Sequence, residues 1–170
     1  NPTRLILNIY IAIIIIGTIL LILPFTSEDG SWTRPVDAVF NTVSAVCVTG
    51  LTTVTTAVHW SIMGKIVLLI LIQLGGLGVM TASSIVALIF NKRMSISERI
   101  HLSEEKNAIS LEGIIRMIRF ILLSTFVIEF IGAVILGFTF IPQYGIIQGS
   151  AYSIFHSISA FCNAGFDIIG

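Results

Sequence analysis

Two short stretches, Val48-Thr49-Gly50-Leu51 and Asn163-Ala164-Gly165-Phe166, are the parts of this chain whose residue types and spacing could do chemistry. The segments that carry them, Asp37 to Val54 and Tyr152 to Ile169, align without gaps at a shift of 115 residues. Phe40, Ser44, Ala45, Cys47 and Gly50 recur as Phe155, Ser159, Ala160, Cys162 and Gly165, and Val43 and Leu51 become Ile158 and Phe166. No nucleophile here has an adjacent base and orienting group, no His/Cys/Glu set has metal-ligand spacing, and no phosphate-cradling loop occurs, so neither an enzyme nor a bound cofactor is expected. Extended chain around a glycine offers its main-chain carbonyl oxygens instead. Several such segments about one axis present rings of carbonyls that replace the water around a cation. Glycine suits the position because it adopts conformations that aim successive carbonyls one way without a Cβ clash. Val48, Thr49, Gly50, Leu51, Asn163, Ala164, Gly165 and Phe166 are therefore candidate ion ligands through their backbone.

Non-helical backbone at membrane depth survives only where it is buried in protein or lines a wet cavity, so these loops need a membrane scaffold. The chain supplies one. Its 170 residues are 55% hydrophobic and only 11% charged, with a mean hydropathy of +1.01, well outside the balance of a soluble domain. Three apolar runs, 5–25, 62–90 and 114–141, read as spanning helices, since about 20 residues cross a hydrocarbon core of about 30 Å. Pro35 and Asp37 open a short helix that Gly50 breaks into extended chain, which gives a re-entrant loop over 36–53. The second copy occupies 150–167. This divides the chain into a first repeat, 1–91, a connector, 92–113, and a second repeat over 114–170 with the span 114–141.

Nine Lys plus Arg balance nine Asp plus Glu, so the net charge of zero gives no expectation of a nucleic-acid partner. Distribution says more. Lys92, Arg93, Arg99, Lys106, Arg116 and Arg119 cluster around the connector, which places it, with Arg4 and the N-terminus, in the cytoplasm. Arg34 and Lys65 then fall near the outer face as exceptions. Two spans separate the loops, so both descend from outside and the repeats are parallel, as a central pore needs and an inverted-repeat carrier does not. The fold class expected is an all-α integral membrane protein of tandem parallel helix, pore-loop, helix repeats, multi-pass in the plasma membrane with the lipid bilayer as solvent. A cleavable signal peptide is not expected, because no small-residue cleavage motif follows the first apolar run.

Several further residues support the loops. Asn163 and Asp167 flank the second glycine and read as braces rather than direct ligands. Cys47 and Cys162 end the two pore helices and read as small packed residues, not reactive thiols. Glu129 lies deep within a span, where an ionisable group is a functional candidate, and is expected to hydrogen-bond pore-helix or loop-bracing groups. Gly75, Gly76 and Gly78 permit either close helix packing or a gating hinge, with packing the commoner use. Thr81, Ser83 and Ser84 either line an inner vestibule or bond their own helix. His59 and Trp60 are expected at the outer boundary.

At the two glycine loops and the Gln73-Leu74-Gly75-Gly76-Leu77-Gly78 run, the sequence resembles the Trk/Ktr/HKT superfamily of potassium transporters, and most of all its Ktr-type bacterial membrane subunits. The likeness covers essentially the whole chain. It implies four helix, pore-loop, helix units around one pore, each filter with one key glycine, and Gly50 and Gly165 match the first two. A glycine at the first filter implies potassium rather than sodium as the transported substrate. The resemblance also implies a homodimer on a cytosolic nucleotide-binding regulatory subunit, with Ser95 to Ser110 as a docking surface. The chain departs from the pattern by stopping after the second filter, from which a fragment of a longer polypeptide is expected. The competing readings are a sodium-conducting or poorly selective relative, and a non-conducting membrane sensor or scaffold.

Overall fold

The computed structural model describes residues 2–91 and 111–169 of the protein, and the expectations placed on the connector, including the docking surface at 95–110, lie outside the described residues. Six α-helices account for most of the rest: α1 (Pro2–Ile22), α2 (Pro35–Val46), α3 (Thr56–His59), α4 (Ile62–Asn91), α5 (Leu111–Tyr144) and α6 (Ile146–Phe161). No strand forms among the described residues, and a single bridge joins Ser27 to Trp60.

The α1 helix stops at Ile22, short of the expected Phe25, for a local reason. Leu23 precedes Pro24 and is driven to an extended conformation, φ −68° and ψ 144°. The carbonyls left open at the helix end are met by Thr26, whose hydroxyl lies 2.7 Å from the Leu23 oxygen and within 3.3 Å of those of Leu20 and Leu21. Ser61 then ties the start of α4 to this corner, donating from Oγ to the Phe25 carbonyl at 2.7 Å. Lys65 satisfies the end of the short α3 by donating to the Ala57 carbonyl at 2.8 Å, which is the local use for a lysine placed against the charge pattern.

The α5 helix continues through Pro142 to Tyr144, past the end of the expected span 114–141. Gly145, at φ 81°, makes the reversal alone, and α6 begins at Ile146. Close crossing permits so tight a turn. A Cβ on Gly149 would stand 2.6 Å from the Ile141 Cα, so only glycine lets α6 fold back along α5 at that point.

Described residues 118–144 form one helix long and apolar enough to cross a membrane, and Leu7–Ile22 and Ile62–Gly78 are shorter apolar helices. Large side chains along α1 and α5 face outward, among them Ile9, Ile15, Ile16, Ile19, Leu123, Phe126, Phe130 and Phe138. A water-soluble domain does not expose contiguous apolar faces of this kind, whereas lipid is their natural solvent. The α2 and α6 helices have 12 and 16 residues, about 18 and 24 Å at 1.5 Å per residue, too short to cross. They pack on the longer helices, α2 against α1 and α4, and α6 against α5 and α4. The core between them contains Leu21, Val46, Trp60, Leu68 and Ile72, all fully buried. Trp60 packs into this core, with His59 edge-on to it at 4.7 Å. Trp32 is the tryptophan that stays exposed.

Candidate ion-coordinating loops

The duplication visible in sequence is also a duplication of backbone geometry. The α2 and α6 helices, the expected pore helices, end in the same set of bonds. Cys47 and Cys162 N–H donate to Val43 and Ile158, Val48 and Asn163 N–H to Ala45 and Ala160, and Thr49 and Ala164 N–H to Ser44 and Ser159. Left-handed backbone then appears at the first and third loop positions of each copy: Val48 at φ 55° and Gly50 at 71°, Asn163 at 58° and Gly165 at 72°. A left-handed residue reverses the peptide plane, and placing one at every second position turns successive carbonyls to one side. Asparagine and glycine visit this region readily, but for β-branched Val48 it is strained.

The two loops meet. A Cβ built on Gly50 would run into the Ala164 carbonyl oxygen and come within 3.2 Å of the Gly165 Cα. Both glycines line one cleft of about 400 Å³ with Thr52, Thr53, Val54, Thr55, Thr56 and Asp167. Thr53, Val54 and Thr55 also line a neighbouring cleft of about 670 Å³ that carries Glu28, Asp29 and His59. Hydrogen bonds from Ser27, Ser31 and the Ser31 N–H hold the Asp29 carboxyl down at about 2, below its ordinary 3.8.

The bracing differs between copies. Ser44 Oγ pairs with Thr49 Oγ1 at 2.9 Å, whereas Ser159 Oγ donates to the Phe166 carbonyl at 2.9 Å. The Phe166 oxygen is therefore partly engaged by its own pore helix. Asp167 Oδ1 accepts from the Ile169 N–H and stands 2.9 Å from His156 Nε2.

Other singled-out residues fall behind the loops. Gly75 and Gly76 seat the ends of the two pore helices: a Cβ on Gly75 would strike the Val46 carbonyl, and one on Gly76 would lie 2.5 Å from the Cys162 Sγ. Gly78 is closed off in the same way by the Tyr10 hydroxyl on α1. Cys162 is accordingly buried, but Cys47 is exposed, contrary to the packed role expected of it. The reason is positional, since α4 covers Cys162 and no described helix stands in the matching place beside Cys47. Glu129 is buried, and its main-chain carbonyl, not its carboxylate, receives the Ser157 hydroxyl at 2.6 Å. Gln73 stands beside the carboxyl group, whose Oε1 completes no hydrogen bond among the described residues. Thr81 donates to the Leu77 carbonyl of its own helix at 2.8 Å.

Residues 5–170 match the family described as TrkH, cation transport protein. The chain belongs to that family. It is 45% identical over 170 residues to the potassium/sodium uptake protein NtpJ of Enterococcus hirae, covering all of this chain and 38% of that relative. It is 41% identical over 156 residues to the Ktr system potassium uptake protein B of Bacillus subtilis, covering 91% of this chain and 34% of the relative. The protein of the same name from Vibrio alginolyticus is 37% identical over 163 residues, with 96% and 35% covered. The chain thus spans little more than a third of the length of these curated relatives.

Sequence reasoning passed over Asn41 and His156, the polar residues that reach from each pore helix to the limb leaving its loop. The signal was present, because the two positions are 115 residues apart and both carry a hydrogen-bonding side chain at the same place in the repeat.

Proposed function

We propose that this chain contributes to potassium uptake across the cell membrane, as part of a pore-forming Ktr- or Trk-like subunit that coordinates the dehydrated ion with loop carbonyls. One observation carries the reading: two loops of matching left-handed pattern meet at Gly50 and Gly165 beside a shared cleft. Rings of carbonyls substitute for water around a permeating cation without any covalent step. The ligand set is drawn from Val48, Thr49, Gly50, Leu51, Asn163, Ala164, Gly165 and Phe166, with Asp167 as support. Glu129 and Cys162 lie behind it, and Gly75, Gly76 and Gly78 serve close packing. The N-terminus is cytoplasmic in this reading, from the basic cluster at 92–119. The partners in this reading are a second copy of the subunit and a cytosolic nucleotide-binding regulatory subunit; the Ktr system names of two relatives support only that such a subunit works with other components.

Potassium and sodium uptake by the full-length protein in proteoliposomes tests the proposal, with Gly50→Ser as the variant. Faster potassium than sodium uptake, with the preference lost on Gly50→Ser, is the expected result. Ion uptake indifferent to Gly50→Ser refutes coordination at this loop. Sodium uptake matching potassium in the parent protein favours the poorly selective relative, a reading to which the name of NtpJ, a potassium/sodium uptake protein, lends weight.

A further inference from the structure

Asn41 and His156 occupy the same place on their pore helices, and each touches a carbonyl one turn back and a side chain on the limb past its glycine, although the second partners, Thr53 and Asp167, stand one position out of register between the copies. Asn41 Nδ2 donates to the Asp37 carbonyl, one turn back, at 2.8 Å and to Thr53 Oγ1 at 3.0 Å. His156 Nδ1 lies 2.8 Å from the Tyr152 carbonyl, again one turn back, and Nε2 lies 2.9 Å from Asp167 Oδ1. Thr53 and Asp167 both belong to the limb that leaves the loop just past its glycine, and both line the cleft that holds Gly50 and Gly165.

The geometry has a mechanical meaning. Each loop is fastened where it leaves the pore helix by the bonds from Thr49 to Ser44 and from Ala164 to Ser159. A glycine-bearing loop held at that end alone could swing its second half. The contact to the helix's own carbonyl fixes the Asn41 or His156 side chain, so the second contact pins the outgoing limb to a rigid element. His156 is held further by Phe140 and Phe155, at ring separations of 5.5 and 5.9 Å. The chemistry differs between the copies, an amide and a hydroxyl at Asn41 and Thr53 against an imidazole and a carboxylate at His156 and Asp167.

We propose that Asn41 and His156 are equivalent positioning residues, struts that hold the outgoing limbs of the two loops and thereby the spacing on which ion selectivity depends. The inference rests on the ion-coordinating reading above. The second strut is the better one to test. Asn41 is fully buried, so its loss disturbs the fold as well as the loop. The His156–Asp167 pair has side chains 20% and 61% exposed, and pairs so open to solvent contribute little to stability.

The test uses the full-length protein in proteoliposomes, measuring the ratio of potassium to sodium uptake together with the unfolding temperature in detergent. His156→Ala and Asp167→Ala are each expected to lower the ratio about tenfold, about 1.4 kcal/mol, without moving the unfolding temperature. The double variant is expected to be no worse than Asp167→Ala, whose side chain also accepts from the Ile169 N–H, because His156 acts on the limb through that carboxylate. Thr53→Val, which removes the acceptor of the first strut and leaves Asn41 in place, is expected to lower the ratio as well. An unchanged ratio in His156→Ala and Thr53→Val overturns the inference, and so do single effects that simply add in the double variant. Gly50→Ser separates the two readings: if it alters the ratio and His156→Ala does not, only the struts fail. A ratio insensitive to Gly50→Ser overturns the coordinating loops and the struts with them.

Discussion

Gly50 and Gly165 are equivalent in sequence and in backbone angle, yet the structure predicts unequal responses to the same substitution. Both lie near φ +70°, so an alanine at either place carries the left-handed penalty of about 1–2 kcal/mol. The surroundings differ. A Cβ on Gly165 meets only the Gly50 Cα, at an ordinary 3.7 Å, whereas one on Gly50 strikes the Ala164 carbonyl oxygen. That oxygen is main chain and cannot rotate aside, so one loop must shift bodily, at the further cost of about 1–3 kcal/mol typical of overpacking. Gly165→Ala is therefore expected to lower stability by about 1–2 kcal/mol and to retain potassium preference. Gly50→Ala combines both penalties, about 2–5 kcal/mol, and displaces a proposed ligand. The difference between the two variants isolates the clash, because the backbone term is common to both. Thermal unfolding in detergent measures the first quantity, and competitive potassium and sodium uptake measures the second. Equal losses in the two variants, or a milder effect at Gly50, would refute the face-to-face arrangement of the loops.

Three further outcomes follow from the same geometry. Val48→Asn, which places the second copy's residue at a left-handed position unsuited to a β-branched side chain, is expected to raise stability by up to about 1 kcal/mol, read as a higher unfolding temperature. Gly76→Ala is expected to destabilise by wedging against the Cys162 Sγ, and Cys162→Ala in the same chain should restore part of the loss; purely additive effects would argue against the contact. Asp29 is expected to titrate near 2 by NMR of its carboxyl carbon, with Ser27→Ala moving it back toward 3.8. Because the folded value is depressed, whatever stability the Ser27–Asp29–Ser31 turn contributes is present above 3.8 and is lost as pH falls toward 2.

The sequence by itself determined the membrane class, the positions of the apolar runs and the repeated loops, because apolar length and internal repetition are properties of the chain alone. Pro24 and Gly145 set their corners locally, and the helix ends they fix differ from a hydropathy reading only where a single residue overrides the run. Tertiary structure alone decided which copy's cysteine is covered, that Gly75 and Gly76 seat the two pore helices, and that the loops meet glycine to glycine. It also revealed the paired contacts of Asn41 and His156. Periodicity records which face of a helix is apolar but not which distant segment lies opposite. Contacts between residues 115 apart arise only when α4 brings both pore helices against it, and no local pattern encodes that meeting.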